Sequence, residues 1–432
     1  MSGTTIVAPA TAAGRAAVGI LRLSGPAATR VAQTLTGRPL PPPRIAAVRL
    51  FRDPADGQAI DRGLLVWFAA PASFTGEDVV ELQHHGSTGV QRALLRACLA
   101  AAPGVEPAAP GAFTRRAFAN GRLDLSQVEA LADLIDATTA VQARQAVRQL
   151  DGELGRRCRG WSDRLLSALA MAEAEIDFAP DQDLPAGLID GVLPDAEAVR
   201  AEIVAALGSA GHGQRLRDGL VVAVVGAPNA GKSSLVNRLA RREAALVTPH
   251  AGTTRDVIEV QLDLVGLPVT LLDTAGLRDA TDPVERLGID LARRRAEAAD
   301  LRLLVLDATA PERPPAAEPV LIVANKADLA PPPPGIPAIS CRSGAGLDTL
   351  EAVLADRAAA LLGDGSAVVT AERHRLALAE AADALGRLAS VASADLRAEE
   401  LRLAVAALGR ITGTVGTEAV LERIFARFCI GK

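Results

Sequence analysis

The segment GAPNAGKS at 226–233 brings two glycines, a lysine and a serine together in the spacing G-x-x-x-x-G-K-[ST]. An apolar run precedes it, and the helix-compatible SSLVNRLARR follows. Glycines in such a turn let backbone N–H groups converge on phosphate oxygens, and the helix N-terminus adds partial positive charge. Lys232 is expected to reach β- and γ-phosphates and Ser233 to ligate Mg²⁺, with Asn229, Ala230, Gly231 and Ser234 completing the phosphate contacts. DTAG at 273–276 follows the apolar VTLL, so Asp273 would hold Mg²⁺ through water and Gly276 would offer its N–H to a γ-phosphate, with Thr274 and Ala275 between them. NKAD at 325–328 ends another apolar run. A carboxylate at Asp328 accepts both the N1–H and the 2-amino group of guanine, a donor pair that adenine lacks. Asn325 and Lys326 belong to the same motif, and Ser340, Cys341 and Arg342 stand where a further backbone contact to the base is expected. Singly these motifs are modest signals; in this order, on successive strand ends, they predict a GTPase.

Leu277 follows DTAG, where many small GTPases carry a glutamine that orients the attacking water. Leucine cannot hydrogen-bond water, so hydrolysis is either slow or served by another group. Between the phosphate turn and DTAG lies VTPHAGTTRD at 247–256, a segment suited to a switch loop, with Thr254 closing on Mg²⁺. Its further oxygens would suit a monovalent cation beside the phosphates; an ordinary polar switch is the plainer reading on physical grounds. Of 46 basic residues only three are lysine, namely Lys232, Lys326 and Lys432. Two lie in the nucleotide motifs, where a compact ammonium does what a guanidinium fork does not. The third closes the terminal FCIGK at 428–432.

The surrounding texture predicts the elements that must hold these residues. A chain of 432 residues exceeds one ordinary core, and two to four domains are expected. Aromatic residues make up 2% with no tyrosine, so the cores must be aliphatic. Short strand-like runs (IVAPA, VGILRLSG, GLLVWFA, DVVELQHHG) fill the first 118 residues, with a helical pattern near 89–101. From Ser126 the pattern turns helical, and Ser126 with Glu129 reads as a capping box. The breaker cluster APDQDLPAG ends that stretch. LVVAVV, VTLLD, LRLLVLD and VLIVAN then alternate with helices, which predicts a mostly parallel sheet covered on both faces. Helical patterns return after Thr370. The fold class expected is multidomain α/β plus α: an N-terminal α/β domain at 1–118, a discontinuous helical domain at 119–215 and 366–432, and an inserted Ras-like P-loop GTPase domain at 216–365.

Net charge is −5, which argues against a general nucleic-acid coat protein and leaves room for a local basic patch. No signal peptide and no membrane-length apolar run is read, and the cysteines (Cys98, Cys158, Cys341, Cys429) lack metal or disulfide spacing. A cytoplasmic setting follows.

IVAPATAAGRAAVGILRLSG, SFTGEDVVELQHHG, PGAFTRRAFANGRLDLSQVEALADLIDA, GAPNAGKSSLVN, AGTTRD, DTAGLR and the terminal CIGK together resemble the tRNA-modification GTPases called MnmE or TrmE, over essentially the whole chain. That resemblance implies K⁺ beside the nucleotide, bound by Asn229, Thr248, His250 and Thr253, and Glu285 as the residue that orients the water. His250 departs from the apolar residue common there. The resemblance also implies a tetrahydrofolate derivative (5-formyl- or methylene-tetrahydrofolate) at Arg22, Glu81, Arg122 and Lys432, with Cys429 a candidate in one-carbon transfer. Arg122 stands where a lysine is frequent. It further implies a homodimer, a heterotetramer with the FAD-dependent protein MnmG, and tRNA as the molecule modified, at C5 of the wobble uridine. Two other classes stay open: an RNA-gripping ribosome-assembly GTPase, which the acidic balance and the lack of a GxxG-bearing KH pattern disfavour, and a GTP-controlled scaffold without chemistry.

Overall fold

The computed structural model describes residues 3–177, 188–242, 259–274, 294, 296–310, 320–363, 365–391, 393–415, 418–425, 428 and 431–432. The chain forms two compact units, Met1–Ala132 with Gly409–Lys432, and Asp133–Leu408.

The first unit is built on a six-stranded sheet. Its strands are β1 (Thr5–Pro9), β2 (Val18–Ser24), β3 (Ala47–Arg52), β4 (Ala59–Phe68), β5 (Val79–His85) and β6 (Val105–Pro107). Their order is β3-β4-β5-β2-β1-β6, antiparallel except for the β1–β6 pair. The helices Ala28–Thr36 and Thr88–Ala101 cover one face, where Leu21, Leu23, Val31, Leu35, Phe51, Leu82 and Leu94 form the core. Each such side chain contributes about 1.5–3 kcal/mol on leaving water. Period-two alternation sends Arg22 and Glu81 to the opposite face, opposed in register across β2 and β5. Short β3 and β6 and the helices Ala28–Thr36 and Ala112–Ala119 were not distinguished in the sequence.

The capping box expected from Ser126 and Glu129 forms instead between Asp124 and Gln127. Gln127 N donates to Asp124 Oδ1 (3.0 Å), Asp124 N donates to Gln127 Oε1 (2.9 Å), and Ser126 Oγ donates to the same aspartate (2.6 Å). A carboxylate is the better acceptor at the positive end of a helix, so Leu125–Asp136 starts one residue before the serine.

In the second unit, Ala140–Leu150, Glu153–Asp177, Leu188–Gly208, Ala210–Asp218 and Glu372–Arg387 are helices packed through aliphatic faces and a buried Trp161, whose Nε1 donates to Glu202 (2.7 Å). The five-stranded sheet comprises β7 (Leu220–Val225), β8 (Glu259–Leu264), β9 (Leu267–Asp273), β10 (Leu301–Asp307) and β11 (Val320–Asn325), in the order β11-β10-β7-β9-β8. It is parallel except for β8, an alternating EVQLDL strand that shows no unbroken apolar run because half its residues are polar. The helices Lys232–Arg242 and Leu347–Leu362 pack on the sheet through Leu235, Val236, Leu239, Leu350 and Leu354. Among the described residues no helix is long and apolar enough to cross a membrane.

Candidate functional site

Four strand ends converge at the carboxyl edge of the second sheet. β7 lies between β9 and β10, and the chain leaves it on one side and later on the other, which opens a crevice there. Val224 pairs with Asp273 and Asp307 with Asn325, so the motif residues are held in register by the sheet itself.

The phosphate turn needs its glycines for space and for backbone sign. Gly226 has φ +147°, and a Cβ there would lie 2.3 Å from Val305 O. Gly231 has φ +95°, and a Cβ would lie 2.2 Å from Asn325 Nδ2. Asn229 also takes the left-handed region, at φ 64°. Lys232 opens the following helix and is only 7% exposed; its Nζ donates to Gly226 O (2.8 Å) and Ala227 O (2.9 Å). Burial pulls its ammonium below the ordinary lysine range, while the nearby Asp273 charge pulls the other way. Asp273, 4% exposed, closes β9, and Thr274 Oγ1 donates to Val224 O (2.7 Å). Ser233 is half-buried and Ser234 exposed in the first helical turn.

The residues expected to read the base form a second set. Asn325, 3% exposed, donates through Nδ2 to Ala230 O (2.9 Å) and accepts at Oδ1 from Cys341 N (3.1 Å). One amide therefore ties the phosphate turn to the loop at 340–342. Ser340 Oγ donates to Asp328 (2.6 Å) and accepts from Ser343 N (3.1 Å). That bond from Ser340 is the chief cause holding the exposed Asp328 carboxyl below its usual range. Burial pushes the Cys341 thiol up to about 11, so Cys341 serves here through its backbone. Lys326, at φ 67°, places Nζ 2.5 Å from Asp307 Oδ2. Asp307 was missed, although it ends LRLLVLD just as Asp273 ends its own strand. Its carboxyl is held down to about 2, first by Lys326 and then by Thr309.

The first unit carries a separate cavity of about 340 Å³. Arg22, Glu81 and Arg122 line it, together with Arg44, Phe68 and Phe74. Arg22 pairs with Glu81 (2.9 Å) and donates through Nη1 to Gly431 O (3.4 Å). Its guanidinium carbon lies 6.0 Å from the Phe74 ring centroid and 5.8 Å from that of Phe113. Gly431 has φ +101°, and a Cβ would lie 1.9 Å from Pro9 O, so only glycine brings the terminus this close. Lys432 follows, half-buried. A carboxylate acceptor, three guanidiniums and aromatic faces can take a flat heterocycle that bears N–H donors and a carboxylate tail. Arg44 carried no sequence signal, since it stands in no motif or periodic run, and Phe74, although inside SFTGEDVVELQHHG, was not singled out because an aromatic type alone does not announce a cavity wall.

Thr248, His250, Thr253, Thr254, Ala275, Gly276, Glu285 and Cys429 lie outside the described residues. Among the described residues no cluster of His, Cys, Asp or Glu has the makings of a metal centre, and Cys98, Cys158 and Cys341 form no disulfide.

A phosphate-cradling turn before a helix, a carboxylate on the adjoining strand end and an Asn/Asp reader on a third define a P-loop GTPase. A family model described as the MnmE helical domain matches residues 125–429, and one described as the GTP-binding protein TrmE N-terminus matches residues 5–122. The chain is 53% identical over 442 residues to the tRNA modification GTPase MnmE of Parvibaculum lavamentivorans, covering 99% of this chain and 100% of the relative. It is 50% identical over 458 residues to the protein of that name from Rhodospirillum rubrum, covering 100% of both. Human mitochondrial 5-taurinomethyluridine-[tRNA] synthase subunit GTPB3 is 45% identical over 462 residues, covering 100% of this chain and 94% of that one. The chain belongs to the MnmE family of tRNA modification GTPases.

Proposed function

We propose that this GTPase, together with the FAD-dependent protein MnmG in a heterotetramer built on a homodimer, adds a carboxymethylaminomethyl or aminomethyl group at C5 of the wobble uridine of certain tRNAs. The domains are those read from the sequence: 1–118 for folate binding and dimerisation, 119–215 and 366–432 helical, and 216–365 for the nucleotide. It works in the cytoplasm. Lys232 draws the β- and γ-phosphates into the turn, exchanging carbonyl acceptors for phosphate oxygens. Asn325 holds the turn against the 340–342 loop, and Asp328 accepts from the guanine edge. Ser233 and Asp273 are oxygen donors of the kind Mg²⁺ prefers, and Thr254 joins them. Magnesium, when bound, neutralises charge on the phosphates as the terminal bond breaks. Asn229 is the member of the potassium set among the described residues; with Thr248, His250 and Thr253 it would supply the cationic stabilisation, while Glu285 orients the water. Hydrolysis moves the G domains apart and together rather than making bonds at uridine.

What carries the reading of one-carbon chemistry is the meeting of Arg22, Glu81 and the Gly431 carbonyl beside Arg122 at one cavity. Their chemistry fits a tetrahydrofolate: Glu81 suits the pterin N–H groups and the guanidiniums suit the glutamate tail, with Lys432 adding an ammonium and Cys429 a thiol at the terminus. Mass-spectrometric analysis of wobble uridines in cells lacking the protein is expected to show the C5 group gone and restored on complementation. Normal modification without the protein would refute the reading. Replacing K⁺ by Na⁺ is expected to slow hydrolysis, and indifference to the swap would reject the cation set.

A further inference from the structure

A second basic site lies on the first unit, away from the folate-type cavity. Arg38, Arg49, Arg52 and Arg62 line a cavity of about 280 Å³ at the outer edge of the sheet, where β3 has no neighbour beyond it. No carboxylate lines it. The three carboxylates of the β3–β4 hairpin are engaged elsewhere. Asp53 accepts from Ala55 N (2.9 Å), Asp56 from Gln58 N (2.9 Å), and Asp61 from His85 N (2.8 Å). Arg49 and Arg52 donate one bond each, to Val48 O (3.1 Å) and Gly57 O (3.0 Å), and a guanidinium has five donors to give. In a chain of net charge −5, four guanidiniums around an open cavity without a carboxylate are a concentrated anion site.

The sheet register relates this edge to the cavity. Arg62 pairs with Leu50 on β3, and alternation puts Arg62, Leu64 and Val66 on one face of β4. Val66 pairs with Glu81, which pairs with Arg22. The four steps from Arg62 to Val66 span about 13 Å along one strand. Arg62 thus shares its sheet face with the Arg22–Glu81 pair at a distance of a few nucleotides. Arg49 leaves the pleat on the side opposite Arg62, so the charges flank the edge strand. One phosphate cannot occupy four guanidiniums on both sides of an edge, whereas a sugar-phosphate chain passing it takes them in succession.

We propose that this arginine-lined edge binds the phosphate backbone of the tRNA and so sets the anticodon arm before the Arg22–Glu81 cavity. The proposal rests on the tRNA-modification reading. It is tested on the full-length protein carrying Arg49→Gln, Arg52→Gln and Arg62→Gln, with a matching lysine triple as control. Affinity for tRNA transcript is measured against salt, beside RNA-free GTP turnover and melting temperature. The glutamine triple is expected to lower affinity at least tenfold near 0.1 M salt and to flatten the log–log salt slope by about 2, the share of three phosphate contacts on single-stranded RNA. The lysine triple retains the slope, and turnover without RNA is unchanged in both. If the triple melts early, Arg62→Gln alone is expected to flatten the slope by about 0.7. An unchanged slope overturns the proposal, as does an unchanged slope with altered sedimentation, which would make the edge a contact between copies. In cells, wild-type complementation that restores wobble modification while the glutamine triple does not separates the two readings; if the wild type also fails, the modification reading itself falls.

Discussion

The nucleotide end of the second unit and the outer face of the first unit make sites by opposite means. At the nucleotide end each contributor is a short contiguous motif at a strand end, and the sheet brings three of them together in register. On the first unit, the contributors are single residues: Arg22 and Glu81 stand 59 positions apart and Arg22 and Gly431 409 apart. A motif site is held by local backbone geometry, and a dispersed site by the packing of the whole unit. Mutations therefore damage the two sites in different ways.

The largest effect is expected at the turn. Gly231→Val forces a side chain into the Asn325 amide and into a left-handed backbone. Strain and one lost buried hydrogen bond together cost about 4 kcal/mol, roughly a thousandfold in GTP affinity by calorimetry. Tenfold or less would mean that the turn is held by something other than Asn325. Asp328→Asn comes next, with GTP affinity expected to fall about a hundredfold and discrimination against ATP to shrink. Unchanged discrimination would remove Asp328 from base reading. At the dispersed site, Gly431→Ala is expected to lift the terminus off Pro9 and deprive Arg22 of its second acceptor. About 2 kcal/mol is lost locally, and 5-formyl-tetrahydrofolate binds about tenfold more weakly while GTP turnover by the unmodified nucleotide site persists. Full folate affinity in that variant would detach the terminus from the cavity.

The smallest effect concerns acid. Lys326 lowers the Asp307 carboxyl from an ordinary 3.8 to about 2. A depressed carboxylate contributes stability above its unfolded value, and that contribution is lost as pH falls from about 4 to about 2. Solvent screening holds it to no more than about 1 kcal/mol. Asp307→Asn is expected to flatten the acid limb of the unfolding curve in that window alone; an unaltered limb would show that the pair carries no linkage.

Much of this contrast was legible beforehand. Gly226, Lys232, Asp273 and Asn325 announce themselves because phosphate and guanine impose residue type and spacing over a few positions. β7, β9, β10 and β11 were legible because strands buried on both faces read as unbroken apolar runs. β8 and β3 were not, since half of EVQLDL is polar and Arg49 and Arg52 break AVRLFR into short apolar pieces. The capping box was displaced because two overlapping S/D-x-x-E/Q patterns compete, and acceptor strength chose between them.

The amino-acid order alone marked 226–233, 273–276 and 325–328 as candidates for nucleotide chemistry, because residue type and spacing within a few positions carry such motifs. Only the tertiary structure decided that Asn325 ties the phosphate turn to the 340–342 loop and that Asp307 holds Lys326. The same is true of four arginines sharing one sheet edge. Such pairings depend on strand order and register, which arise from burying aliphatic faces over the whole chain and leave no trace in local spacing.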